Sequence, residues 1–387
     1  MIISIAEEMN PTRRNTMEDV HVIHAPQTWD APHPSASFIG IYDGHGGRLI
    51  VDYLEDHLAK NVAQEWTFEK RRKSGGGGGD TADDVVVAAG RKRRLSKSYD
   101  GNHDDDSDDD SDEEEEEKDD GEIIRNSMER AFLLTDIQSR MAGLTTSGAT
   151  VVCTIILPNF DNDGNCTDIE IHAANAGDAR AVLSSTVARS ASFVKNTFQN
   201  NDTTNNNNAA AVRITQDHKS TDTSEIERIK AAGGTMIRNR VMGILAVARS
   251  LGDHGLKEFV IAKPFLSSTV VKIIADSDHE DDDNNNMMGG GSDNNDNGNV
   301  QPVPGSSNNN SKSSTTSSSH PYTNGEFLIV ACDGLWDVME DDEAVDAVRA
   351  HVAKNGMASR TDVASVLVDE ALERGSTDNV TVVVYWL

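Results

Sequence analysis

The chain has 387 residues, 26% of them charged, and a formal net charge of −30 at pH 7. Fourteen acids and one lysine in residues 104–120, with eight acids in 276–296, carry 21 of those 30 charges, so the remainder is only mildly acidic. That balance argues against a nucleic-acid partner, which needs a basic surface, and three cysteines without a CxxC pair argue against a disulfide scaffold and for a reducing compartment.

The chain opens with "MIISIAEEMN", which has neither a basic n-region nor a long apolar core, and no later stretch reaches the roughly 18 apolar residues of a membrane span. The expectation is a soluble intracellular protein of the cytoplasm, the nucleus or both, with no membrane partner. "RRNTMEDV" then sets the acids Glu18 and Asp19 side by side. Residues 36–44, "ASFIGIYDG", predict a strand, and Asp43 and Gly44 at its end run into His45-Gly46-Gly47. Residues 48–65 place Leu49, Val51, Leu54, Leu58 and Val62 at near-helical spacing. Helices are also predicted at 122–140, 222–232, 341–353 and 361–374. Further strands are predicted at 148–157, 168–178, 326–334 and 379–386, all rich in β-branched residues and bounded by turn formers.

Three stretches lack apolar periodicity: about 71–121, 190–211 and 276–324. Their Gly, Asn, Ser and acid runs cannot bury enough surface to offset chain entropy, which predicts disordered insertions. Setting them aside leaves 265 residues, enough for a single domain spanning 1–387, since lengthening a surface loop costs little. The strands are not each separated by one helix, so a largely antiparallel α+β domain is expected rather than a doubly wound parallel sheet.

Four predicted strands carry an aspartate at an end next to glycine or asparagine: Asp43 in "YDGHGG", Asp178 in "NAGDAR", Asp333 in "ACDGLWD" and Asp378 in "STDNVTV". One Asp-Gly alone is a turn. Several carboxylates delivered to one sheet edge would repel unless cations sat between them, and hard oxygen ligands suit Mg²⁺ or Mn²⁺ rather than zinc.

In order, "RRNTMEDV", "YDGHGG", "SGATVV", "ANAGDAR", "LAVARSLGD", "ACDGLWDV" and "STDNVTVVV" resemble the motifs of the metal-dependent type-2C serine/threonine protein phosphatases. They span residues 14–385, and the stretch from Arg240 to Val271 looks closest to the compact fungal-type members. The resemblance implies a sandwich of two mostly antiparallel sheets with helices on both outer faces. It implies two Mg²⁺ or Mn²⁺ ions per subunit, with Asp43 bridging them. Glu18 and the carbonyl of Gly44 would serve one ion, and Asp333 and Asp378 the other. Asp178 and Asp337, with Asp333, match positions that can hold a weaker third ion. Arg14 matches the phosphate-binding arginine and His45 the general acid, while Asp253 matches a recurrent position without a metal. The implied reaction is hydrolysis of phosphoserine and phosphothreonine by a hydroxide bridging the two ions. Phosphoproteins, signalling kinases among them, would be the substrates, and a monomer is expected.

The family usually shows Gly-x-Arg where this chain has "NPTRR". Pro11 cannot donate to a ladder, so a short or displaced first strand is expected, and Arg13 stands as the alternative to Arg14. Asp178 has a competing partner in Arg180, and Cys332 reads as a small buried residue. Two other functions stay open: a non-catalytic relative that binds partners, and a phosphohydrolase acting on small molecules.

Overall fold

The computed structural model describes residues 1–73, 119–185, 210–273 and 325–387. The three predicted insertions lie outside the described residues except at their edges. In chain order the elements begin with β1 (Ile2–Glu8), β2 (Asp19–His24), β3 (Ser37–His45), α1 (Leu49–Lys73) and α2 (Asp120–Met141). Next come β4 (Gly148–Phe160), β5 (Cys166–Ala176), β6 (Arg180–Ser185), β7 (Ala210–Arg213) and α3 (Thr223–Ala231). The short strands β8 (Met236–Ile237), β9 (Arg240–Val241) and β10 (Leu251–Gly252) precede β11 (Phe265–Lys272). The chain closes with β12 (Phe327–Ala331), α4 (Asp333–Trp336), α5 (Asp341–Asn355), α6 (Val363–Glu373) and β13 (Val380–Trp386). Residues 71–73, 120–121 and 210–211, counted with the insertions on composition, are therefore the ends of regular elements.

Two antiparallel sheets result. One runs β1-β13-β12-β6-β7 and the other β11-β5-β4-β3-β2, with β10 paired to β4. Strand alternation decides what each face meets. On β3, Ile39 and Ile41 point between the sheets, where they join Val152, Ile171, Ala181, Leu328, Val330 and Val383. Phe38 and Tyr42 point the other way, onto Leu54, Leu58, Met128 and Phe132 of α1 and α2. The opposite sheet turns Phe327, Ile329, Val382 and Val384 onto Val345, Val348, Leu367 and Val368 of α5 and α6. The order helix, sheet, sheet, helix is the expected four-layer α+β sandwich.

Two expectations change. Leu49 is exposed, and the buried face of α1 is Ile50, Val51, Leu54, Leu58, Val62 and Trp66. The first strand is neither short nor displaced: β1 pairs over all seven residues with β13, from Ile2 opposite Trp386 to Glu8 opposite Val380. Pro11 comes after the ladder has ended, in a turn where the Arg13 and Arg14 amides donate to the Asn10 carbonyl at 2.8 and 2.9 Å.

Candidate active site

One end of the sandwich collects the acids, and the backbone puts them there. Asp43 sits near the end of β3 opposite Asp19 of β2. Asp333 opens α4 just past β12, and Asp378 lies two residues before β13. Asp178 occupies the β5–β6 turn after Gly177, whose φ of +116° suits only glycine. Two glycines permit close approaches. A Cβ on Gly44 would stand 2.5 Å from the Glu18 carbonyl oxygen, and one on Gly334 would stand 2.0 Å from the Asn379 carbonyl oxygen. The Gly44 amide donates to that same Glu18 oxygen at 3.2 Å.

The acids sense one another. Burial, then the charges of Asp333, Asp19, Asp178 and Asp378, push the Asp43 carboxyl well above the ordinary carboxylate range. Burial followed by the Asp178, Asp378, Asp337 and Asp19 charges does the same to Asp333. Asp178 is pushed up to about 6, chiefly by burial, with the Lys219 charge opposing. Asp378 is also raised, by burial first, against the lowering influence of the Asn379 amide and Arg14. Asp178 Oδ1 and Asp333 Oδ1 are buried with no hydrogen-bond partner. Buried acceptors left unpaired in a field of like charge are the donor set of a hard divalent cation. The residues therefore fit Mg²⁺ or Mn²⁺.

Among the described residues, no three His, Cys, Asp or Glu side chains form a ready metal-holding group as they stand. Two of the acids are taken by bases. Arg14 forms an ion pair with Asp378 and donates Nε to the Thr377 carbonyl at 3.2 Å. Lys219 Nζ lies 2.7 Å from Asp337. The Arg13 side chain is exposed and has no hydrogen bond or ion pair among the described residues, so of the two arginines Arg14 is the one that reaches the acids. Arg180 does not pair with Asp178. It binds Asp217 at 2.6 Å and Asp341 at 2.5 Å and lies over the Trp336 ring at 5.0 Å. Cys332 is buried, as expected, and its sulfur accepts the Thr381 amide at 3.2 Å.

The segment carrying Arg14 and Glu18 is anchored by two asparagines. Asn10 Nδ2 donates to the Ser376 carbonyl at 2.8 Å. Asn379 Nδ2 donates to the Met9 and Thr16 carbonyls at 2.8 and 3.0 Å, while its Oδ1 accepts the Glu18 amide at 2.9 Å. Neither asparagine was singled out by sequence, and neither was Lys219. His45 Nε2 lies 2.8 Å from Asp253 Oδ2. Burial opposes ionisation of Asp253, but hydrogen bonds from His45 and Ser250 and the Lys257 charge prevail and hold its carboxyl below the ordinary range. The resemblance marked Asp253, in "SLGD", as a recurrent position without a metal.

Comparison with known proteins agrees with this fold. The family model described as protein phosphatase 2C matches residues 74–280 and 294–380. The protein phosphatase 2C homolog 1 of Saccharomyces cerevisiae is 29% identical over 392 residues, covering 100% of this chain and 93% of that protein. Its namesake in Schizosaccharomyces pombe is 26% identical over 384 residues, covering 99% of this chain and 72% of that protein. A solved Toxoplasma gondii phosphatase shares the fold at a TM-score of 0.55 and 17% identity, covering 100% of this chain and 95% of that one. A serine-threonine phosphatase 2C from the same organism has a TM-score of 0.56 at 14% identity, covering 99% and 94% of the two chains. Sheet order, the acid-lined end and relatives matching from one end to the other agree, and the chain belongs to the protein phosphatase 2C family of metal-dependent protein serine/threonine phosphatases.

Proposed function

We propose that phosphoserine and phosphothreonine in proteins are hydrolysed at the acid-lined end of the sandwich, with Asp43 shared by two Mg²⁺ or Mn²⁺ ions. Glu18 and the Gly44 carbonyl would hold one, Asp333 and Asp378 the other, and Asp178, Asp333 and Asp337 a weaker third. When bound, the ions would supply positive charge to the phosphoryl oxygens and would lower the pKa of a water to near neutrality for attack on phosphorus. Arg14 presents its planar fork of donors to the non-bridging oxygens, exchanging the Asp378 carboxylate for phosphate. The departing serine or threonine alkoxide is a poor leaving group, and His45 gives it a proton.

The observation that carries this reading is the pair of buried, unpartnered oxygens, Asp178 Oδ1 and Asp333 Oδ1, inside a cluster of mutually repelling carboxyls. The test is phosphate release from a phosphothreonine peptide with Mn²⁺ or Mg²⁺, then with EDTA, for the wild-type chain and Asp43→Asn. Release that vanishes with chelator and in the variant supports the assignment. No release with any metal, from a chain shown to be folded, overturns it.

A further inference from the structure

We propose that Asp253 is the residue that positions His45 for proton donation, reaching it across strand β4 through a gap that only glycine leaves open. The inference rests on the proposed hydrolysis at this same site and assigns a role to a residue outside the metal set.

Three strands make the arrangement. His45, the last residue of β3, lies opposite Gly148, the first of β4. On its other side Gly148 lies opposite Gly252 of β10, immediately before Asp253. The Asp253 carboxylate therefore passes over Gly148 to meet His45 Nε2. A Cβ on Gly148 would stand 2.1 Å from Asp253 Oδ2 and 2.5 Å from His45 Nε2. Those distances are impossible for real atoms, so any side chain at position 148 severs the pair.

Asp253 is itself held firmly. Its backbone adopts φ +45°, ψ +39°, the left-handed region that aspartate tolerates better than most residues. Its amide donates to the Ser147 carbonyl at 3.0 Å, and the Ser250 hydroxyl donates to the same Oδ2 that meets His45. One turn behind, buried Asp136 of α2 accepts the Gly252 amide at 2.8 Å and pairs with Lys257 at 2.9 Å. Lys257 Nζ also donates to the Ser250 carbonyl at 3.0 Å. The residue is thus held at its amide by Ser147 and at its carboxylate by Ser250, with Asp136 and Lys257 bracing the flanking backbone. Because an ionised carboxylate only accepts, it keeps one ring proton on Nε2 and leaves Nδ1 as the nitrogen that takes up a second proton and gives it to the leaving oxygen, the ring passing from imidazolium back to the neutral Nε2–H form. Among the described residues none bonds Nδ1. Ring orientation and tautomer are then set before substrate arrives, which is the purpose of an orienting partner to a catalytic histidine.

Leaving groups separate this role from a merely structural one. An alkoxide needs a proton as it departs and nitrophenolate does not. Phosphate release with Mn²⁺ is measured on a phosphothreonine peptide and on p-nitrophenyl phosphate, for wild type, D253A, D253N and H45Q. D253A is expected to lose about tenfold or more in kcat on the peptide, with KM within about twofold, and a loss about fivefold smaller on p-nitrophenyl phosphate. D253N, whose amide oxygen still accepts from Nε2–H, recovers part of the peptide rate. In metal-free protein labelled with ¹⁵N-histidine, the His45 ring, identified by its absence in H45Q, reads as the Nε2–H tautomer in wild type and as a mixture in D253A. Equal losses on the two substrates, or an unchanged ring spectrum in D253A, overturn the proposal. If D253A does not fold, D253N decides: equal losses on both substrates overturn it, and a loss confined to the peptide supports it. A wild-type chain that releases phosphate from neither substrate defeats the phosphatase reading instead, and the ring spectrum, which needs no turnover, still tests Asp253.

Discussion

The Thr381 hydroxyl donates to Asp19 Oδ2 at 2.7 Å, joining β13 of one sheet to β2 of the other. Both groups are buried, and Asp19 is the register partner of Asp43. Burial pushes the Asp19 carboxyl up to about 6 against the lowering influence of this hydroxyl. Removing the hydroxyl leaves a buried acid with one acceptor unpaired. Thr381→Val is expected to cost about 1–3 kcal/mol of stability, read from urea denaturation of the metal-free protein. A loss below about 0.5 kcal/mol would mean that this bond does not hold the two sheets together.

Arg14 and Asp378 form the second pair of consequence, because each partner has another task. Arg14→Ala frees the Asp378 carboxylate while removing the proposed phosphate fork. Mn²⁺ should then bind more tightly by calorimetry, and KM for a phosphopeptide should rise by about tenfold, the equivalent of one charged hydrogen bond. Metal affinity and KM moving together in the weaker direction would contradict this arrangement.

Arg180 is only 6% exposed and joins Asp217 to Asp341 above Trp336. Its removal leaves Asp341 and Asp217 with Arg213 alone, at 2.7 and 3.7 Å. Arg180→Leu is expected to cost about 1–3 kcal/mol, measured by thermal or urea denaturation.

Gly334 faces backbone, which cannot step aside. Gly334→Ala should cost about 1–3 kcal/mol by overpacking against the Asn379 carbonyl. It should also weaken Mn²⁺ binding, since Asp333 precedes that glycine and Asp378 precedes that asparagine.

His218 is buried behind the turn that carries Asp178, its Nδ1 3.2 Å from the Gly177 carbonyl. Burial, helped by the Arg249 charge, depresses its pKa from 6.5 to about 4. The unfolded chain therefore takes a proton near pH 6.5 while the folded chain refuses it until about pH 4, so stability falls as pH drops through that window. His218→Gln should remove about 1–3 kcal/mol of the loss between pH 7 and 4.5, measured by urea denaturation at both values. Parallel acid limbs for the two proteins would contradict the assignment.

Legibility in the sequence followed burial. Strands β3, β4, β5, β12 and β13 announce themselves as apolar runs because both of their faces are covered. Strands β1, β2, β7 and β11 are sheet edges, and β1 and β11 carry only partly buried patterns, so a period-two signal was diluted by polar residues. β6 ends in two serines and was also missed. At the site, acids at strand ends were readable because a strand fixes where its last residue goes. Pairings such as His45 with Asp253, 208 residues apart, were not. They depend on a missing side chain at Gly148 and a left-handed residue at 253, and neither leaves a periodic trace.

The pairing of β1 with β13 has a consequence in time. Arg14 and Asp378 are 364 positions apart, and the segment that presents Arg14 is moored to residues 376–379. On the ribosome, the chain makes Glu18, Asp43, Asp178 and Asp333 long before the strand that completes their surroundings. A polypeptide stalled short of residue 376 would carry most of the acids without the residues that moor the Arg14 segment. Pairing of β13 with β1 is thus the late event that brings distant parts of the chain together at the acid-lined end.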